Sequence, residues 1–192
     1  MPPKTKYSDF LDEHKNLFSK LYEIEERVLN AGELIVSTLG AGNKVIICGN
    51  GGSAADAQHL AAELVGRFEQ ERRGLPAMAL TTDTSILTAI GNDYGYDTIF
   101  SRQIEALSKA GDVLIGISTS GNSRNIILAV ESAMNVGVRA IGLLGSDGGK
   151  IASLVDMAVI VPHSVTARIQ EAHIFIIHFW CALIEKELFG DD

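Results

Sequence analysis

Residues 112–123, DVLIGISTSGNS, constrain the fold of this chain more than any other stretch. Residues 113–117 form a short apolar run with β-branched side chains, which predicts a buried strand. Residues 118–123 then supply four hydroxyl groups, one amide and one glycine, and a helical pattern follows. Such a strand–turn–helix aims backbone N–H groups and hydroxyls beside the positive end of a helix dipole, which suits a phosphate. A serine-rich helix cap without a ligand is the alternative.

Predicted strands alternate with predicted helices along the whole chain; one helix is predicted at residues 84–90, followed by a loop at residues 91–96. The strands are residues 44–48, 77–80, 113–117, 139–144 and 157–161. This alternation predicts an α/β fold, a doubly wound five-stranded parallel sheet in the order 2-1-3-4-5. The length of 192 residues fits one domain, residues 1–192. Within it, residues 1–40 are predicted to form an amphipathic N-terminal helical extension, divided near Asn30 and Gly32 and suited to packing against another subunit.

The composition argues against several classes of partner. A net charge of −8 argues against a general nucleic-acid surface. No apolar run reaches membrane-spanning length, and the N-terminal MPPKTKYSDF lacks an apolar signal core, so we expect a cytoplasmic protein without a membrane partner. Cys48 and Cys181 each lie in an apolar run and are predicted to be buried free thiols.

A second polar turn, residues 49–53 with the sequence GNGGS, follows the first predicted strand. In a doubly wound sheet, the ligand crevice lies beyond the carboxyl ends of the strands, at the switch point between the first and third. GNGGS matches neither a dinucleotide fingerprint nor a Walker A loop, but its glycines permit close approach of a small ligand. Both polar turns therefore face one predicted crevice, although a plain strand-to-helix turn remains the simpler interpretation of GNGGS.

Two predicted helices carry residues that can bind a metal ion. His59 and Glu63 are four residues apart, so they share a helix face and can hold one divalent ion or form a surface salt bridge. The last helix, residues 166–188, carries Gln170 and a predicted buried His178, which are separated by roughly 12 Å along the axis. Joint binding of one ion then requires converging side chains or a contribution from a neighbouring subunit. The remaining polar residues of interest are interpreted as structural or surface groups: His14, His163, Glu171 and His173.

Several motifs taken together resemble a known family. The strand–STSGNS–helix element resembles the sugar isomerase (SIS) domain, whose serine/threonine loop holds the phosphate of a phosphosugar. More narrowly, CGNGGSAADAQHLAAELVGRF, GNDYG, GISTSGNS, DGGK and ARIQEAHIFIIH resemble the phosphoheptose isomerases, from about residue 8 to residue 188. The resemblance implies a cytoplasmic homotetramer that converts D-sedoheptulose 7-phosphate into D-glycero-D-manno-heptose 7-phosphate, the first step toward the ADP-heptose of lipopolysaccharide, with active sites at subunit contacts.

The resemblance also implies roles for individual residues. The implied zinc ligands are His59, Glu63, Gln170 and His178. The implied substrate contacts are Asn50, Gly51, Gly52, Ser53, Glu63, Asn92, Asp93, Ser118, Thr119, Ser120, Ser123 and Gln170. Converting a ketose into an aldose moves a proton from C1 to C2 through an enediol, which requires a base at the carbons and an acid/base at the oxygens. We assign these catalytic roles to Glu63 and His178, in either order.

Two other functions are compatible with parts of the sequence. The chain also resembles a non-catalytic SIS-domain regulator of replication initiation that binds DnaA, notably in LPAMALTTDTSILTAI and ISTSGNSR. That regulator lacks the glutamate and the late histidine, whereas Glu63 and His178 are both present here, so the enzyme is favoured. A third possibility is an isomerase for another phosphosugar, such as arabinose 5-phosphate or a hexulose phosphate, against which the GNDYG loop argues weakly.

Overall fold

A computed structural model describes residues 6–190, so the first five residues of the predicted N-terminal extension lie outside the described part. Its centre is a five-stranded, wholly parallel sheet in the order β2-β1-β3-β4-β5, which confirms the predicted topology. The strands are β1 (Val45–Gly49), β2 (Ala77–Ala79), β3 (Val113–Ser118), β4 (Arg139–Gly145) and β5 (Met157–Val161).

Seven α-helices surround the sheet in the described residues. They are α1 (Tyr7–Lys20), α2 (Glu25–Gly40), α3 (Gly52–Val65), α4 (Thr84–Tyr94), α5 (Ser101–Leu107), α6 (Arg124–Asn135) and α7 (Thr166–Phe189). Helices α1, α2, α3 and α7 cover one face, and α4, α5 and α6 cover the other. Strand β1 shows why: Val45 and Ile47 pack into the first layer, whereas Ile46 and Cys48 pack into the second. A strand buried on both faces needs an apolar residue at every position.

The N-terminal helices are divided at a different place from the one predicted. The break is a short 3₁₀ turn at Leu21–Ile24, and α2 runs through Asn30 and Gly32 without interruption. Gly32 is needed for packing instead, because a Cβ there would lie 2.6 Å from a methyl of Leu183 and 3.1 Å from the Trp180 ring. The glycine that was interpreted as a helix breaker therefore lets α2 pack directly against α7.

The GNDYG segment is more helical than predicted. We expected a helix at residues 84–90 and a loop at residues 91–96, but α4 continues through Tyr94 and ends at Gly95, whose φ is 89°. Asp83 caps this helix by accepting a hydrogen bond from the backbone N–H of Ile86 at 2.9 Å. Asn92 and Asp93 therefore lie on the last turn of a helix.

Both cysteines are buried free thiols, as predicted, and burial raises the pKa of Cys48 and of Cys181 to about 12. His173 is also fully buried; its Nε2 donates to the carbonyl oxygen of Leu144 at 2.9 Å, and its Nδ1 has no partner. None of the helices in residues 6–190 is both long and apolar enough to cross a membrane.

Candidate active site

The predicted phosphate turn lies between β3 and α6. The hydroxyl oxygens of Ser118 and Ser123 are 3.0 Å apart, which closes the turn across its base. Ser120 is exposed, and its hydroxyl accepts a hydrogen bond from the backbone N–H of Asn122 at 3.2 Å. Thr119 lies between Ser118 and Ser120 and is half-buried. The turn therefore presents hydroxyls at the N-terminus of α6, where an anion is favoured.

The DGGK segment, residues 147–150, braces this turn from the side. The backbone N–H of Ile151 donates to the carbonyl of Gly121 at 2.9 Å, and that of Lys150 donates to the Asn122 side chain at 3.2 Å. Gly121 has a φ of 63°, and a Cβ there would overlap the carbonyl of Gly148. Only glycine fits a left-handed conformation at such close range.

The GNGGS turn leads directly from β1 into α3. Gly51 has a φ of 55°, and Ser53 is buried in the first turn of the helix. Gly52 is the first residue of α3, and the Gln170 amide occupies the space that a Cβ of Gly52 would take. Because Gly52 has no side chain, α7 can pack directly against the start of α3.

Asn50 joins the two polar turns to the GNDYG region. Its side-chain amide exchanges two hydrogen bonds with that of Asn125, at 2.9 and 2.8 Å, and its Oδ1 also accepts from the Tyr96 hydroxyl at 3.2 Å. Sequence reasoning did not identify Asn125 or Tyr96 as site residues. The available signal was an amide next to Ile126 and Ile127 in the first turn of α6, because a polar group buried beside apolar residues requires a partner.

A second cluster lies two turns further along α3. Nε2 of His59 is 3.2 Å from Oε1 of Glu63 and 3.0 Å from Nε2 of His178. Helix α3 supplies His59 and Glu63, and α7 supplies His178, whose ring centroid is 5.0 Å from that of His59. The predicted meeting of the early and closing helices thus occurs within one chain. His178 is half-buried rather than largely buried, and the rings of His59 and Phe68 pack against it.

The donor atoms of this cluster suit a divalent cation chemically. A neutral His59 Nε2 carries at most one proton and cannot satisfy a carboxylate and another imidazole equally well, whereas a cation attracts all three. With bonds of about 2.0–2.1 Å, tetrahedral zinc separates its ligand atoms by about 3.4 Å, close to the distances here. His59 contacts both Glu63 and His178 directly, and within residues 6–190 no group of three or more histidine, cysteine, aspartate or glutamate side chains is arranged to hold a metal ion.

Gln170 lies apart from this cluster. Its amide packs against Gly52, seven residues before His59, which corresponds to roughly 10 Å along α3. Asn92 and Asp93 also lie apart: they hydrogen-bond to each other at 2.8 Å on the exposed end of α4. One chain therefore brings together His59, Glu63 and His178, and separately Gly52, Gln170 and the polar turns.

The other charged groups near the site are structural. Arg168 is buried, pairs with Glu171 and donates to the carbonyl of Phe10 at 2.9 Å, while His14 contacts Glu171 at 2.8 Å. This cluster attaches α1 to the start of α7. The His163 side chain accepts from the backbone N–H of Val165 at 3.0 Å, in the turn that leads into α7.

Asp56 is the strongly perturbed carboxyl group next to the cluster. It precedes His59 by three residues on α3, and one of its oxygens is buried without a hydrogen-bond partner. Burial raises the pKa of Asp56 to about 6, and the nearby His59 partly offsets this rise. Perturbed carboxyl groups of this kind are frequent in functional sites, so the pKa supports the location of the cluster.

Comparison with known proteins gives a consistent result. The SIS domain family matches residues 9–145. The chain is 62% identical over 169 residues to the phosphoheptose isomerase of Geotalea daltonii, covering 88% of each sequence. Its structure resembles the phosphoheptose isomerases of Neisseria gonorrhoeae (TM-score 0.89, 49% identity, covering 93% of this chain and 96% of that one) and Francisella tularensis (TM-score 0.88, 37% identity, covering 95% and 100%). These likenesses favour the enzyme over the replication regulator. The chain belongs to the SIS domain family and, within it, to the phosphoheptose isomerases.

Proposed function

We propose that this protein is an aldose–ketose isomerase that converts D-sedoheptulose 7-phosphate into D-glycero-D-manno-heptose 7-phosphate. The observation that carries this proposal is the convergence of Glu63 and His178 on His59. The His59 end of this cluster lies roughly 10 Å along α3 from the GNGGS turn, a distance that an extended seven-carbon sugar phosphate can span. The phosphate and the reacting carbons of one substrate then have separate places in the site.

The polar turns bind the phosphate end of the sugar in this proposal. Ser118, Thr119, Ser120 and Ser123 supply hydroxyls, and Asn50, Gly51, Gly52 and Ser53 supply the start of α3. Both turns end at helix N-termini, so the negative phosphate is stabilised without a cluster of basic side chains. This local arrangement explains how a chain with a net charge of −8 binds an anion.

The cluster at His59 performs the proton transfers. Glu63 removes a proton from C1 and returns it to C2, while His178 moves the second proton from the C1 hydroxyl to the oxygen on C2. The bonding electrons shift from the C1–H bond through the enediol, so no external oxidant or reductant is needed. Contact between the two helices holds both groups beside the same carbons, which is the main requirement for general acid–base catalysis.

We also propose that this cluster binds zinc, with His59, Glu63, His178 and Gln170 as the ligands. A bound divalent ion supplies Lewis acidity at the sugar oxygens where negative charge develops. Imidazole nitrogens and carboxylate or amide oxygens are zinc ligands, which is the chemical support for this assignment. A carboxylate bound to a metal ion is a weaker base, so Glu63 acts as the base only while it is not coordinated. Because Gln170 of the same chain lies beside Gly52, its participation requires movement of α7 or a Gln170 from a second subunit.

A homotetramer with active sites at subunit contacts accounts for the apolar surface beside α7. An open groove of about 430 Å³ between α1, α2 and α7 is lined by Phe18, Leu21, Tyr22, Ile24, Glu25, Val28, Leu29, Phe175, Ile176 and Phe179. Tyr22 and Phe175 are exposed at 80% and 50%, which is unusual for large apolar side chains that remain in water. We propose that other copies of the chain cover this groove and that the protein is cytoplasmic.

The decisive experiment is to incubate the purified protein with sedoheptulose 7-phosphate and follow the sugar by NMR. We expect new signals of an aldoheptose phosphate that reach a constant ratio with the ketose. The sample with Glu63→Gln is the control for contaminating isomerases. Absence of aldose formation by the correctly folded, zinc-supplemented wild type would contradict the proposed function.

Metal removal tests the zinc proposal separately. Treatment with a chelator, followed by its removal, should lower kcat at least tenfold, and added zinc should restore it. His59→Gln should weaken zinc binding in a direct titration, whereas His14→Gln, a change on α1 remote from the cluster, should leave it unchanged. Full activity of protein shown to be free of metal would contradict the zinc assignment without affecting the isomerase assignment.

A further inference from the structure

The segment of residues 66–74, which forms most of the loop that joins α3 to β2, is fixed by a buried ion pair. Its sequence, GRFEQERRG, is highly charged and by composition should be a solvated loop. Nevertheless, the side chains of Arg72 and Glu185 are only 2% and 3% exposed, and Nε of Arg72 is 2.9 Å from Oε1 of Glu185. A buried ion pair is costly unless further hydrogen bonds satisfy both groups, so its partners indicate what it holds in place.

The Glu185 carboxylate holds the backbone of the loop. Its Oε1 accepts from the N–H of Phe68, and its Oε2 accepts from the N–H groups of Glu69 and Gln70, each at 2.9 Å. Burial alone would raise the pKa of Glu185, but these three N–H donors and the Arg72 charge outweigh it and lower the pKa. The carboxylate is therefore ionised and fully hydrogen-bonded where α7 meets the loop.

The Arg72 guanidinium holds the end of α3. It donates to the carbonyl oxygens of Glu63, Leu64 and Gly66, at 2.8, 3.0 and 3.1 Å, and to that of Arg73 at 3.1 Å. The last carbonyls of a helix have no partner within the helix, and a cation there also complements the helix dipole. Arg72 thus attaches to the backbone of Glu63 itself, the proposed base.

Phe68 connects the ion pair to His178. The Phe68 ring stacks on the His178 imidazole with centroids 5.5 Å apart and an interplanar angle of 29°. Its backbone N–H is one of the three that Glu185 holds. His178 and Glu185 are seven residues apart on α7, which is two helical turns, so both lie on the face that meets this loop.

We propose that Arg72 and Glu185 are positioning residues for the isomerase reaction: Glu185 acts through Phe68 on His178, and Arg72 acts through the end of α3 on Glu63. This inference rests on the proposed function. The phosphate-binding turns lie at the opposite end of α3, roughly 20 Å along the helix axis from Val65. Breaking the ion pair therefore lowers kcat and leaves the KM for the sugar phosphate nearly unchanged.

The test compares Glu185→Gln, Arg72→Lys and Phe68→Leu with the control Glu187→Gln, which removes the same charge from the exposed side of α7. We expect kcat to fall about tenfold in each of the first three variants, with KM changed less than twofold, and the control to equal the wild type. The double variant Phe68→Leu/Glu185→Gln should be about as slow as either single variant, because both changes act through the same ring.

A spectroscopic measurement separates positioning from general stability. In histidine-labelled protein, the His178 ring signals, assigned with His178→Gln, should shift in Phe68→Leu and move in the same direction in Glu185→Gln. Signals of the buried His173 should stay constant. This measurement needs no turnover, so it remains informative if the wild type proves inactive and the proposed function fails.

Three outcomes would overturn the proposal. The first is a folded Glu185→Gln protein with wild-type kcat. The second is a double variant whose losses multiply to about a hundredfold. The third is an unchanged kcat and an unchanged His178 signal in Phe68→Leu, which decides the question even if Glu185→Gln fails to fold.

Discussion

At the scale of single residues, the site depends on which atoms share a partner. His59 Nε2 contacts both Glu63 and His178, so a change in any one of the three side chains alters the hydrogen bonding of the other two. Ser120 differs from these residues because its hydroxyl is exposed and its hydrogen bond, to the Asn122 N–H, lies within its own turn. A change at Glu63 should therefore lower kcat, whereas a change at Ser120 should raise KM.

Glu63→Gln should lower kcat at least a hundredfold, because the amide keeps the shape of the carboxylate but cannot accept the C1 proton. Circular dichroism and the molecular mass of the assembly should match the wild type. Glu33→Gln, an exposed change on α2, serves as the charge control. Substantial turnover by a folded Glu63→Gln protein would remove Glu63 from the role of base.

Ser120→Ala should raise KM about tenfold or more with a small change in kcat, because a hydrogen bond to a charged group contributes roughly 1.5–3 kcal/mol. Steady-state kinetics with sedoheptulose 7-phosphate measures both constants. Ser19→Ala, an exposed serine on α1, should leave them unchanged. An unaltered KM for Ser120→Ala would mean that this turn does not bind the phosphate.

At the scale of elements, the site depends on how closely turns and helices approach. Gln170 lies against Gly52 and His178 against His59, so α3 and α7 run in the same direction with matching separations of eight and seven residues. The DGGK segment meets the turn of residues 118–123 through backbone atoms on both sides. These contacts tolerate no added atoms, because backbone cannot move aside as a flexible side chain can.

Gly121→Ala should therefore destabilise the protein by about 1–3 kcal/mol, since it forces a Cβ into a left-handed residue against the Gly148 carbonyl. It should also raise KM if the turn of residues 118–123 binds the phosphate as proposed, because that turn moves with Gly121. Gly40→Ala is the matched control: its Cβ would lie 3.5 Å from a Leu188 methyl, an ordinary contact. Urea unfolding measures both, and equal stability of the two variants would contradict the close packing of the turns.

At the scale of the whole molecule, buried ionisable groups link stability to pH. Burial lowers the pKa of His173 to about 4, although its hydrogen bond to Leu144 partly opposes this shift. Between pH 6.5 and pH 4 the unfolded chain binds a proton at this histidine and the folded chain does not, so stability falls as the pH falls. Buried Asp112 also contributes stability that is lost in acid. Burial alone would raise its pKa, but hydrogen bonds from Lys44 and from the backbone N–H of Lys109 outweigh burial and lower the pKa.

Wild-type protein should lose roughly 2 kcal/mol of its unfolding free energy through His173 alone between pH 7.5 and pH 5, by linkage. His173→Gln should lose less over the same interval, because glutamine does not titrate. Urea unfolding at both pH values and one fixed protein concentration measures the difference. If wild type and His173→Gln lost the same unfolding free energy between pH 7.5 and pH 5, His173 would not be the source of this pH dependence.

Local sequence patterns were sufficient for the sheet. Continuous apolar runs predicted the five strands, and alternation with helices predicted their order, because right-handed crossovers leave few arrangements. The same patterns failed at Gly32, where a glycine in a helix serves contact with Trp180 and Leu183 rather than a break. They also failed at the end of α4, where Gly95 rather than Gly91 ends the helix. Both errors concern glycine, whose role depends on what lies opposite it.

The sequence alone determined the α/β sheet, the two polar turns at its switch point, and the i,i+4 pairing of His59 with Glu63, because each depends on residues close together in the chain. Only the tertiary structure decided that His178 reaches His59 while Gln170 stays beside Gly52, and that Glu185 holds the loop bearing Phe68. Those contacts join residues more than a hundred positions apart, and their geometry is set by how α3 and α7 pack on the sheet. Helical periodicity specifies which face of a helix is apolar, but not which residue of another helix that face will meet.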